Sequence, residues 1–122
     1  MKILIADDSK AMRMIVIRNL RQGGFGHYEY FEAENGKECF EKAQEVTPDV
    51  VLSDWNMPEM NGLECLIALR EAGNQVRFGF VTSETTPEMR EKAIAAGAGF
   101  LLAKPFSADD LADALMGLVR SR

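Results

Sequence analysis

Asp49-Val50-Val51-Leu52-Ser53-Asp54, followed by Trp55-Asn56-Met57-Pro58, decides the fold. An apolar middle closed by a carboxylate and a Pro/Gly-bearing loop, Trp55 to Gly62, reads as a strand covered on both faces. A half-exposed strand would alternate apolar and polar residues instead. Upstream, Lys2 to Ala6 is a second such run, ended by Asp7-Asp8-Ser9. A helical pattern follows from Lys10 to about Gln22, with Met12, Ile15, Val16 and Leu20 spaced by three and four, and Gly23-Gly24 stops it. Tyr28 to Ala33 reads as a strand, Asn35-Gly36 opens a helix over 37–46, and Pro48 sets off the central run. Downstream come a helix from about Leu63 to Ala72, a strand from Arg77 to Thr82, and a helix opened by Pro87 and ended near Gly97. Phe100 to Ala103 is the last strand, and Ser107-Ala108-Asp109-Asp110 caps a final helix running to about Val119.

Strand and helix thus alternate five times. Right-handed crossovers then place helices on both faces of a five-stranded parallel sheet, a doubly wound α/β fold. The 122 residues suit one domain, 1–122, and 47% apolar residues suffice for one core. The apolar runs are too short to cross a bilayer, and Met1-Lys2 enters a strand with no secretory leader, so a cytoplasmic protein is expected. Nineteen acids against fourteen bases, a net charge of −5, argue against binding a phosphate backbone. Cys39 and Cys65 read as buried free thiols, and the absence of any Cys/His cluster argues against a zinc site. His27 reads as a solvated loop residue with nothing around it to make it a phosphodonor, Met57 and Met60 as rim or loop packing, and Trp55 as a fluorescent reporter of its neighbour.

Ligands of such sheets bind outside the carboxyl ends of the strands. Those ends carry Asp7-Asp8, Asp54, Thr82 and Lys104. Like charges held together need a compensating cation. Carboxylates without imidazole or thiolate form a hard oxygen site suited to Mg2+, with Lys104 as a second cation. A carboxylate can accept a phosphoryl group as an acyl phosphate, and cations then stabilise the spread charge. Magnesium would take one phosphoryl oxygen, Lys104 a second, and the Thr82 hydroxyl with the adjacent Ser83 a third. Each residue taken alone has a plainer role: Asp7-Asp8 and Thr82-Ser83 as helix caps, Lys104-Pro105 as a surface turn. Their joint placement is what favours the site.

Asp7-Asp8-Ser9, Asp54-Trp55-Asn56-Met57-Pro58, Thr82-Ser83-Glu84 and Lys104-Pro105-Phe106, in that order, resemble the receiver domains of two-component response regulators, and most of all the chemotaxis type. The resemblance spans essentially the whole chain. It implies a flavodoxin-like (βα)5 fold with strand order 2-1-3-4-5 and Asp54 as phosphoacceptor. It also implies Mg2+ held by Asp8, Asp54 and the Asn56 carbonyl, with Asp7 on a metal-bound water. Lys104 would pair with the phosphoryl group and be joined to Pro105 by a cis peptide bond, and Thr82 would be the switch hydroxyl. Asn56 and Glu84 stand at positions that tune hydrolysis, and their identities imply a short-lived mark. The implied partners are a histidine kinase as phosphodonor and a downstream protein met through the fourth helix, fifth strand and fifth helix, by a free-standing monomer.

Two departures from the family pattern stand out. Leu101 occupies the position usually held by a switch aromatic, and Phe100, one place earlier, should face the opposite side of the sheet. A weaker switch is therefore expected. The last helix opens on Asp109, Asp110 and Asp113, whereas chemotaxis relatives present basic residues to the flagellar motor there.

Other readings fit less well. A haloacid-dehalogenase-type phosphohydrolase wants Asp-x-Asp after its first strand, and the chain has Asp7-Asp8-Ser9. A flavodoxin-like electron carrier wants a Ser/Thr/Gly-rich first loop. A regulatory piece of a DNA-binding regulator and a receiver that is never phosphorylated keep the same fold.

Overall fold

In a computed structural model that describes residues 1–120, the central run forms strand β3, Val50–Ser53, buried at every position. On one side it pairs in parallel with β1, Lys2–Ala6, which pairs in turn with β2, Glu29–Ala33. On the other it pairs with β4, Arg77–Thr82, and then β5, Phe100–Ala103, giving the order β2-β1-β3-β4-β5. The expected topology is the observed one. The registers leave Ala6 level with Ser53 and Thr82 level with Ala103, so Asp7, Asp54 and Lys104 emerge at the same end of the sheet.

Strand parity sorts the core into two layers. Ile3, Ile5, Val50, Leu52 and Val81 face helices α1 (Lys10–Leu20) and α5 (Ala108–Arg120), meeting Val16, Leu20, Leu111 and Leu115. Leu4, Ala6, Val51, Phe78, Phe80 and Leu101 face α2 (Gly36–Val46), α3 (Gly62–Glu71) and α4 (Pro87–Ala95), meeting Cys39, Ala43, Cys65, Leu66, Leu69 and Ala93. Full burial of one such large side chain stabilises the fold by about 1.5–3 kcal/mol.

Local chemistry starts the helices where the core needs them. Ser9, Asn35, Asn61, Thr86 and Ser107 accept from the backbone N–H three residues on, satisfying donors the helix cannot. Glu64 returns the bond to the Asn61 N–H, a reciprocal box that fixes the start of α3.

Several boundaries differ from expectation. The first helix ends at Leu20, and Arg21–Phe25 make a wider turn in which Gly24 takes φ +104 before Phe25 plugs back into the core. Helices α2 and α3 each begin on their glycine, one residue early, because the preceding Asn is the cap. Tyr28, Asp49 and Asp54 lie just outside their strands. Thr82-Ser83 does not cap α4, because Thr86 does.

Candidate phosphoacceptor site

The site is assembled from strand ends, each held by ladder bonds that run past the strand proper. The Asp7 N–H donates to Ala33 O at 3.0 Å and the Asp54 N–H to Ala6 O at 2.8 Å. On the far side the Lys104 N–H donates to Thr82 O at 2.8 Å. The backbone under the functional groups is therefore as constrained as the sheet itself. The peptide bond after Lys104 is cis, as expected for an X-Pro bond at this position.

Lys104 ties the side chains together. Its Nζ donates to Asp7 Oδ2 at 2.9 Å and to Asp54 Oδ2 at 3.2 Å, with side chains only 14%, 6% and 13% exposed. The other Asp7 oxygen accepts from the Ser9 N–H at 2.9 Å, and Asp54 Oδ1 accepts from the Trp55 N–H at 2.6 Å. Burial pushes the Lys104 pKa down. The hydrogen bond to Asp7 and the charges of Asp54 and Asp7 outweigh it and leave the ammonium above its ordinary value.

Asp8 is exposed and completes a trio in which one oxygen each of Asp7, Asp8 and Asp54 lies within 4.8 Å of the others. Unit like charges at that separation repel by about 3 kcal/mol at an effective dielectric of 20, and one lysine bonded to two of them does not cancel all three. An all-oxygen, multiply charged donor set open to solvent on the Asp8 side fits a hard divalent cation.

Thr82 is fully buried, and its Oγ1 accepts from the Glu84 N–H at 3.4 Å. Ser83 and Glu84 are exposed on the following loop, and Asn56 is exposed beside Asp54. An open cavity alongside is lined by Asp8, Asn56, Met57, Met60 and Glu64. Met57 is buried in the core and Met60 packs against it while both line this cavity, so both alternatives of rim and loop packing apply. Trp55 is 8% exposed and packs at 4.9 Å from the Phe80 ring.

Leu101 and Phe100 fall on opposite faces, as strand alternation requires. Leu101 is 8% exposed and joins the core under α2, α3 and α4, whereas the Phe100 ring lies over Gly79 on the α1/α5 face. Phe100 therefore does not substitute for an aromatic at position 101. His27 is exposed, as a loop residue should be, and its ring meets Tyr28 edge-on at 4.6 Å. Cys39 and Cys65 are free and fully buried.

This geometry and the family-level comparison agree. The family model for the response regulator receiver domain matches residues 3–116.

The chain belongs to that family.

This receiver is 38% identical over 114 residues to the chemotaxis protein CheY of Bacillus subtilis (strain 168), covering 93% of each chain. It is 34% identical over 118 residues to the chemotaxis protein CheY1 of Helicobacter pylori, covering 94% of each. Among solved structures, the Vibrio cholerae chemotaxis protein CheY4 superposes with a TM-score of 0.86 at 35% identity, covering 96% of this chain and 97% of that one. The receiver is thus a CheY-like response regulator, a signalling protein of a two-component system, from a family that uses Mg2+ and works with histidine kinases and downstream targets. Among the described residues no helix is long and apolar enough to cross a membrane.

Sequence reasoning missed three groups that shape the site. Ser53 Oγ donates to the Asp54 carbonyl at 2.7 Å, and a Cβ on Gly62 would sit 2.2 Å from that same oxygen. Arg13 reaches from α1 to the Asp7 carbonyl. Gly62 was signalled by Asn61-Gly62 at a helix start. The others carry no motif.

Proposed function

We propose that the receiver, residues 1–122 as one domain, takes a phosphoryl group on Asp54 from a histidine kinase and signals through an altered protein-binding face. The observation that carries this reading is Lys104 Nζ bonded to Asp7 and Asp54 at adjoining strand ends, where an Asp8 oxygen lies within 4.8 Å of theirs.

Asp8, Asp54 and the Asn56 carbonyl would hold Mg2+, with Asp7 beside them. When bound, the ion neutralises carboxylate and phosphoryl charge in this oxygen-rich site. An Asp54 carboxylate oxygen forms the O–P bond while the P–N bond of a phosphohistidine breaks and the imidazole leaves. Lys104 then exchanges its Asp54 oxygen for a phosphoryl oxygen while keeping Asp7. Thr82, buried one residue before the β4–α4 loop, is positioned to turn its hydroxyl toward the new charge, and the exposed Ser83 N–H adds a donor. Asn56 and Glu84 flank the path by which water reaches the acyl phosphate and set its lifetime.

The Lys104 N–H on Thr82 O joins the ends of β4 and β5, so motion at Thr82 is transmitted to β5 and the face it shares with α4 and α5. With Leu101 already packed in the core, the conformational shift is smaller than a ring swinging from solvent to interior would produce. A chemotaxis-like role in the cytoplasm, as a monomer, suits the CheY relatives.

The test follows Trp55 fluorescence as Mg2+ and then acetyl phosphate are added to the native chain and to Asp54→Asn. A Mg2+-dependent change, then a phosphodonor-dependent change lost in Asp54→Asn and matched by a mass increase, is expected. Magnesium binding with no phosphodonor response and no mass change would overturn the phosphoacceptor reading.

A further inference from the structure

Behind the carboxylates runs a line of bonded groups that phosphoryl transfer does not use. Arg13, in the first turns of α1, has a side chain only 11% exposed. Its Nε donates to Glu32 Oε1 at 2.8 Å, and its Nη1 donates to the main-chain carbonyl of Asp7 at 2.7 Å. Glu32 is itself anchored: Lys42 of α2 donates to its carbonyl and pairs with Glu38 Oε1 at 3.2 Å. At the other end Asp7 accepts from Lys104, which reaches Asp54. A continuous series of contacts therefore joins the edge strand β2 and helix α2 to the phosphoacceptor.

The Asp7 carbonyl belongs to the peptide unit linking Asp7 to Asp8. That unit is planar, so holding its oxygen restrains rotation of the whole plane and, through the two flanking Cα atoms, the directions in which both side chains leave the backbone. Two of the three clustered carboxylates hang on this one peptide. A guanidinium presents its donors in a rigid fork, so Glu32 on one edge orients the group that holds Asp7 on another.

We propose that Arg13 is a positioning residue: gripped by Glu32, it holds the Asp7–Asp8 peptide in the geometry that makes Asp7, Asp8 and Asp54 one divalent-cation site. This rests on the Mg2+ site proposed above. Two effects of Arg13 oppose each other. Its positive charge repels a cation bound nearby, so removing charge alone tightens Mg2+ binding. Removing its hold on the peptide weakens binding. The sign of the change therefore separates positioning from plain electrostatics.

The experiment titrates Mg2+ by Trp55 fluorescence in the full chain, with circular dichroism as a check of folding. Arg13→Met is expected to weaken Mg2+ about tenfold, the lower range for groups that orient metal ligands. Unchanged or tighter binding in a folded Arg13→Met chain overturns the proposal. Glu32→Gln and Glu32→Ala remove the same charge, but only Gln keeps an acceptor for Arg13. Weaker binding in Ala than in Gln is expected, and equal affinities overturn the proposal even where Arg13→Met does not fold. A native chain that shows no Mg2+ response instead overturns the underlying site. A native response left unaltered by these substitutions overturns the role of Arg13 alone.

Discussion

Gly62→Ala tests how the phosphoacceptor is held. Gly62 is the first residue of α3, and its N–H donates to Trp55 O at 2.8 Å, closing the loop that follows Asp54. A Cβ there would lie 2.2 Å from the Asp54 carbonyl oxygen, 2.9 Å from Phe80 Cε1 and 3.1 Å from Ser53 Oγ. Ordinary carbon–oxygen contacts begin near 3.3 Å, so the Asp54 backbone or the start of α3 must retreat by about 1 Å. Neither yields readily, since the Asp54 N–H is bonded to β1 and α3 is fixed by its capping box. Overpacking of this kind costs about 1–3 kcal/mol, and a rigid backbone neighbour puts the cost near the top of that range. At about 4 °C per kcal/mol for a domain of this size, the melting temperature should fall by about 12 °C. Acetyl-phosphate labelling of Asp54 should also slow, because the displaced carbonyl carries its own side chain with it. Gly117→Ala in α5 is the control: nothing lies within 4 Å of that Cβ, so the same change should stabilise by about 0.5–1 kcal/mol. Melting and labelling of Gly62→Ala indistinguishable from the native chain would refute the reasoning.

Other substitutions probe the charges and the core. Lys104→Met removes a cation bonded to both Asp7 and Asp54, so thermal stability without Mg2+ should fall by about 3 kcal/mol, while Mg2+ should raise the melting temperature more than in the native chain. An equal rise would sink that account. Burial, partly offset by the Arg21 cation, pushes the Tyr30 hydroxyl to about 12, and it donates to Phe25 O at 2.7 Å. Because the folded value is raised, the stabilisation is complete below the ordinary tyrosine value of about 10 and is lost as pH rises through about 12. A Tyr30 ionisation midpoint at the ordinary value of about 10 would count against it. Contact with Cys65, and then burial, raises the Cys39 thiol well above its ordinary value, and both cysteines are fully buried, so a thiol reagent should label neither until denaturant is added.

Most of the site was legible because its chemistry sits at strand ends. Asp7, Asp54, Thr82 and Lys104 each close an apolar run, and a parallel sheet brings such closures together whatever lies between them. Helix starts were legible for a similar local reason where a cap was read: Asn35 and Ser107 satisfy N–H groups within three residues of themselves. The stop at Gly23-Gly24 was legible, since Gly24 is where the backbone leaves helical values, but the widening of the turn from Arg21 was not, because it depends on Phe25 finding the core. Thr86 was not singled out as the cap of α4; the only cap suggested before Pro87 was the plainer alternative for Thr82-Ser83, because nearby sequence does not rank the hydroxyls there.

The sequence by itself determined the alternation of strands and helices, and with it the parallel sheet, the opposed faces of Phe100 and Leu101, and the end of the molecule where charge collects. These follow from periodicity, capping and strand parity, which act over a few residues. Only the tertiary structure decided that Lys104 bonds both Asp7 and Asp54, that Gly62 leaves room for the Asp54 carbonyl, and that Arg13 joins Glu32 to the Asp7 peptide. Those contacts join residues far apart in the chain, and their distances depend on how helices and strands settle against one core.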